Sequence, residues 1–165
     1  MPPTALPGPR TFTRRTLLAV SAAAGLVAVA GCTSSSEDEP EAVTSEQADE
    51  LAGQVAVQET LVAAYDLAFR ADPGLAASAA DLAGQAGEQL ERLRAAAAAA
   101  AAGERPAGRP PTDTPPAGAA QAWLRAQVAV AATSHATACL DQSGARAALL
   151  GSIAAGLRGH EARLA

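Results

Sequence analysis

Four stretches of this chain place aliphatic or small residues in alternating steps of four and three. That spacing puts each set on one face of an α-helix and excludes alternation along a strand. The first reads Leu51, Val55, Gln58, Val62, Tyr65 and Phe69. The second reads Leu75, Ala79, Leu82, Ala86, Gln89 or Leu90, and Leu93. The third carries Leu124, Val128, Ala131, His135 and Ala138, and the fourth Leu150, Ile153, Leu157, His160 and Leu164. Forty-seven of the 165 residues are alanine and only 2% are aromatic, which again favours helix over sheet. Alanine seams bring helices close together, but each side chain buries little area, so the core is modest.

Local signals mark where the helices begin and end. Thr44-x-x-Gln47 can form a capping box, and the first helix then runs to about Arg70. Asp72-Pro73 is a cap followed by proline at the first helical position. The second helix is expected to continue through eight alanines, Ala95 to Ala102, and to stop at Gly103. Pro106, Pro110 and Pro111 mark a loop over 103–114, and Thr114-Pro115 predicts the start of a third helix reaching about Asp141. Ser143-Gly144 turns the chain into a fourth helix ending near Leu164. The expected fold is all-α, an antiparallel up-down-up-down four-helix bundle over residues 45–165.

Residues 1–31 read as an export signal rather than as part of that bundle. Arg10, Arg14 and Arg15 precede an uncharged run, Leu17 to Ala30, that is short for a membrane span. Thr13-Arg14-Arg15-Thr16-Leu17-Leu18 resembles a twin-arginine signal, which would imply export of the folded protein. Val29-Ala30-Gly31-Cys32 resembles the lipobox of bacterial lipoproteins. That resemblance implies cleavage before Cys32, a diacylglyceryl group on its thiol, and a position on the outer face of the bacterial cell membrane. Residues 32–44 would then be the lipidated cysteine and an acidic tether.

The whole chain carries −5, with no lysine; from Cys32 onward, nine arginines face seventeen carboxylates. Such a balance argues against nucleic acid as a partner, because no basic face can displace counterions from phosphate. The expected partners are the membrane, through Cys32, and an envelope protein or small ligand whose identity no motif supplies.

Gln58-Glu59-x-x-Val62-x-x-Tyr65, Glu88-Gln89-Leu90-Glu91-Arg92-Leu93 and Gly159-His160-Glu161-Ala162-Arg163-Leu164 lie within this helical layout. Through these segments residues 46–164 resemble the ferritin-like four-helix bundles. In particular, they resemble the small secreted or lipid-anchored ferritin-like domains of high-GC Gram-positive bacteria. Metal-binding members take one Glu from each of two helices and Glu-x-x-His from each of the others. Here Glu59 lies at the edge of its stripe, and Glu88 and Glu91 point away from theirs. The third helix offers Gln127, and the fourth His160 without its Glu. Iron or manganese held by Glu59, Glu88, Glu91 and His160, as in an oxidoreductase or storage module, is therefore the lesser expectation.

Depth counted from the two tight turns instead brings Gln58, Gln89, Gln127 and His160 to one level. They are expected to form a buried polar layer without catalytic residues, metal or cofactor. The same count sets His135 beside Tyr65. Cys139 reads as a small buried thiol, and Ser134 and His135, being adjacent in a helix, point apart. The function expected from this set is binding or scaffolding at the cell envelope.

Overall fold

A computed structural model describes residues 43–100, 108–111 and 113–165. The export signal, Arg14, Arg15, Val29, Ala30, Gly31, Cys32 and the tether up to residue 42 lie outside the described residues, as does Gly103.

Every regular element among the described residues is helical: α1 (Ser45–Ala71), α2 (Pro73–Ala100), α3 (Ala120–Ala138) and α4 (Gly144–Arg163). A single 3-10 turn, Cys139–Asp141, lies between α3 and α4. Thr44 opens α1 with both halves of the capping box: its Oγ1 accepts from Gln47 N, and Gln47 Oε1 accepts from Thr44 N. Asp72 Oδ1 accepts from Gly74 N and Leu75 N, satisfying two donors at the start of α2.

The start of α3 differs from the expectation at Thr114-Pro115. The helix begins five residues later, after a turn in which Ala119 N donates to Pro116 O and Gly118 adopts φ +73°. Consecutive prolines at 115 and 116 hold the chain extended, and a left-handed glycine then redirects it. Ala119, which offers no side-chain oxygen, precedes the helix.

The direction of α3 is a second correction. At the start of α1, Gln47 Nε2 donates to Asp141 O, and Gln142 Nε2 donates back to Gln47 O. The turn after α3 therefore lies at the end of the bundle where α1 begins, opposite the α1–α2 turn. At the other end, Arg163 of α4 pairs with Asp81 near the start of α2. Thus α2 and α3 run the same way, and the segment between them crosses the bundle's length. The order is up-down-down-up, not up-down-up-down. Contacts of α1 with α3 and of α2 with α4 are both antiparallel, as at Gln54–Ser134 and Gln85–His160.

The core contains most of the predicted stripes; on α1 Leu61 is buried where the stripe named Val62, which is half-buried, as is Phe69. Leu51, Val55, Leu61, Tyr65, Leu82, Leu93, Leu124, Val128, Leu150, Ile153 and Leu157 are all buried and form one cluster. Phe69 packs edge-on against Tyr65. Among the described residues no helix is both long and apolar enough to cross a membrane.

Candidate functional site

Two polar constellations interrupt this apolar core, one centred on Gln58 of α1 and the other on His160 of α4. Gln58 sits on the α1 stripe and is fully buried. Its Nε2 donates to Ala86 O at 3.0 Å and to Gln89 Oε1 at 3.2 Å, both on α2. With that nitrogen engaged by two acceptors, Gln58 Oε1 accepts from His135 Nε2–H of α3 at 2.9 Å. One amide thus ties three helices together. α4 comes close to the same level at Gly156, where a Cβ would lie 3.0 Å from Gln89 Nε2.

His135 is therefore neutral, with its proton on Nε2. Its Nδ1 is buried and has no hydrogen-bond partner. Burial pushes this imidazole down from 6.5 to about 4. A proton on Nδ1 would create a buried cation with no acceptor for the new N–H.

The second constellation lies nearer the α1–α2 turn. The Tyr65 hydroxyl is 3.0 Å from His160 Nδ1, and His160 Nε2 is 3.1 Å from Gln85 Oε1. The chain reads Tyr65 O–H to Nδ1, then Nε2–H to Gln85, which again leaves the imidazole neutral. Burial holds Tyr65 above its usual range and His160 below its own; the Arg163 guanidinium lowers both. Asp81 beside Arg163 is held below the ordinary carboxylate range by that pairing.

The expected layer of Gln58, Gln89, Gln127 and His160 is corrected in two members. Gln58 and Gln89 meet, but their imidazole partner is His135. His160 takes the place beside Tyr65 that the sequence had assigned to His135. Gln127 is only half-buried and bonds to none of them. Cys139 is half-buried rather than buried, and its Sγ lies 3.2 Å from Ala147 O.

The carboxylates considered for a metal point elsewhere. Glu88 pairs with Arg92 on the surface of α2, and Glu91 with Arg94. Glu59 takes Arg94 Nη2 on one oxygen and Gly108 N on the other, each at 2.8 Å. His160 is in the core on Tyr65, so the four do not converge. Among the described residues no three His, Cys, Asp or Glu side chains gather as metal ligands. Such a donor set does not fit iron or manganese, which are bound through several convergent carboxylates and imidazoles in bundles of this kind.

Glu59 has a role that the sequence reading missed. It pins the crossing segment to α1, helped by Thr60 Oγ1, which donates to Arg109 O at 2.9 Å. A Cβ on Gly108 would lie 2.5 Å from Glu59 Cβ and 2.9 Å from Ala56 O. Gly108 in a proline-rich loop was the available signal, because close backbone approach requires glycine. Gly108→Ala is expected to lift the segment off α1 at a cost of about 1–3 kcal/mol. Limited digestion with a glutamate-specific protease should then cut after Glu104 faster than in the parent, with helix content unchanged. Equal cutting rates would show that the contact does not hold the segment.

Compared with protein-family models, characterised proteins and solved structures, the chain matches none.

Proposed function

We propose that this chain is a lipid-anchored protein on the outer face of a bacterial cell membrane, with a non-catalytic binding or scaffolding role there. The observation that carries the non-catalytic part is the state of the two core imidazoles. Each is neutral, buried and committed to an amide or a phenol. Groups held this way set helix register and are poorly suited to moving protons near neutral pH. The anchor rests on Val29-Ala30-Gly31-Cys32 at the end of the uncharged run. Two acyl chains on one cysteine hold a protein at a membrane stably, where a single chain does not. One long crossover between α2 and α3 is also the connectivity of ferritin-like bundles, which supports placing the domain among them. Its carboxylates have been turned outward to arginines, and amides occupy the centre.

Replacing Cys32 tests the location. Cys32→Ser is expected to leave the protein uncleaved or released, while the parent stays with the membrane fraction. A cleaved Cys32→Ser protein that still sediments with membranes would overturn the anchor. Arg14→Lys with Arg15→Lys is expected to block export, and normal export would point to translocation of an unfolded chain.

A further inference from the structure

The four helices form two hairpins, α1 with α2 and α3 with α4, and the chain's two histidines both lie on the second. Inside the core α1 and α2 are tied to each other by Gln58, which donates to Ala86 O and Gln89. Across the seam between the hairpins, both fully buried side-chain links run through an imidazole: His135 to Gln58, and His160 to Tyr65. His160 also reaches Gln85 of α2. Asp81 and Arg163 close the seam at the end where α4 finishes. At the opposite end it is held by Gln47 and Gln142, which do not titrate.

Each imidazole link exists in this form only while the ring is neutral. A proton on His135 Nδ1 has no acceptor, because that atom is buried without a partner. The side chains around it offer no compensating charge. Gln58 faces it from α1, with Gln89 of α2 behind, and α4 carries no charged residue from Ala147 to Leu157. Glu50 of α1 is reached only through Gln54, which accepts from Ser134. A proton on His160 Nδ1 displaces the Tyr65 hydroxyl proton from its acceptor. Around His160 stand Tyr65 of α1, Gln85 and Asp81 of α2, and Arg163 of α4, with Asp81 already engaged by Arg163. Arg158 and Glu161 pair with each other on α4, and Arg125 of α3 is exposed.

We infer that the seam between the two hairpins is an acid-operated hinge, which parts when His135 and His160 take up protons while the helices persist. Links within each hairpin do not depend on an imidazole: Gln58 holds α2 to α1, and Cys139 Sγ lies 3.2 Å from Ala147 O between α3 and α4. Alanine-rich helices of 19 to 28 residues also keep helical structure better than short ones. Protons bind the parted form first, so closure is favoured above pH 6.5 and weakens as the pH falls. For His135, about 4 closed against 6.5 in water favours parting by about 60-fold at pH 4.5 relative to pH 7. His160, shifted in the same direction, adds to this. Parting bares the apolar stripes of both hairpins, so they become available in acid and stay covered at neutral pH. The hinge rests on the core and not on the proposed anchor.

The chain carries its own reporters. Tyr65 and Trp123 are its one tyrosine and one tryptophan, and they stand on opposite hairpins. Antiparallel counting from Gln54 and Ser134 sets them level. Energy transfer from Tyr65 to Trp123 in the unlabelled full chain therefore follows the seam, and far-ultraviolet circular dichroism follows the helices. In urea at pH 7 the two signals should change together. At pH 4.5 the transfer should be lost at a lower urea concentration than the helices. His135→Gln with His160→Gln should bring the two curves back together at pH 4.5, whereas Asp81→Asn should leave them apart. Coincident curves for the parent at pH 4.5 overturn the inference without recourse to any variant. So does a separation as large at pH 7 as at pH 4.5, or one that survives in the double variant. A separation that disappears in Asp81→Asn overturns it too, by assigning the hinge to the ion pair.

Discussion

Gln58→Leu is expected to lower the stability of the bundle by about 2–6 kcal/mol. The substitution is close in volume, so packing changes little and the loss comes from hydrogen bonding. Two buried side-chain groups lose their partners, the Oε1 of Gln89 and the Nε2–H of His135, and Ala86 O loses the donor from Gln58. Each orphaned buried group costs about 1–3 kcal/mol. Against a total stability of about 5–15 kcal/mol, that is a large fraction. The thermal midpoint should fall by about 10 °C or more. Gln127→Leu provides the comparison, since Gln127 is half-buried and outside the network; its change should stay within about 0.5 kcal/mol. Equal effects from the two substitutions would mean that Gln58 is not the hub that joins α1, α2 and α3.

Acid is expected to destabilise the protein through His135. Its pKa is about 4 folded and 6.5 as the free side chain, so the unfolded chain binds the proton first. Stability from this group is complete above pH 6.5, is lost as the pH falls towards 4, and changes no further below that. The full loss is about 3 kcal/mol, at about 1.4 kcal/mol for each unit of pKa difference. His160, also depressed, acts in the same direction. Asp81, held low by Arg163, loses its contribution only at lower pH. His135→Gln isolates the effect, because an amide can still donate to Gln58 Oε1 but does not titrate between pH 4 and 7. Unfolding in urea from pH 7 to 4.5 should show a steep fall for the parent and a shallower one for the variant. Parallel curves would show that His135 ionises as easily in the folded state as in the unfolded one.

The sequence by itself determined the four helices, most of their ends and the faces they bury. Each of those properties is local. A capping box at Thr44, a cap at Asp72 and a stripe at steps of three and four act within one or two turns of backbone. The inward place of Gln58 and Gln89 and the outward place of Glu88 and Glu91 follow from 100° per residue alone. The late start of α3 was written in Pro115, Pro116 and Gly118, although Thr114-Pro115 imitates a cap.

Only the tertiary structure decided the direction of α3, and that one choice explains which imidazole meets which amide. Nineteen residues separate α2 from α3. Extended, they span about 60 Å, more than the ~42 Å length of α2. The linker can therefore turn back at once or cross the whole bundle, and no local pattern selects between them. Counting depth as if it turned back set Gln127 and His160 level with Gln58. With the crossing, α3 and α4 exchange ends, so His135 arrives at Gln58 and His160 at Tyr65. The selection is made by contacts distant in sequence: Glu59 against Gly108, Gln47 against Asp141 and Gln142, and Asp81 against Arg163. Those pairings exist only after the helices have packed, so a reading confined to local periodicity had no access to them.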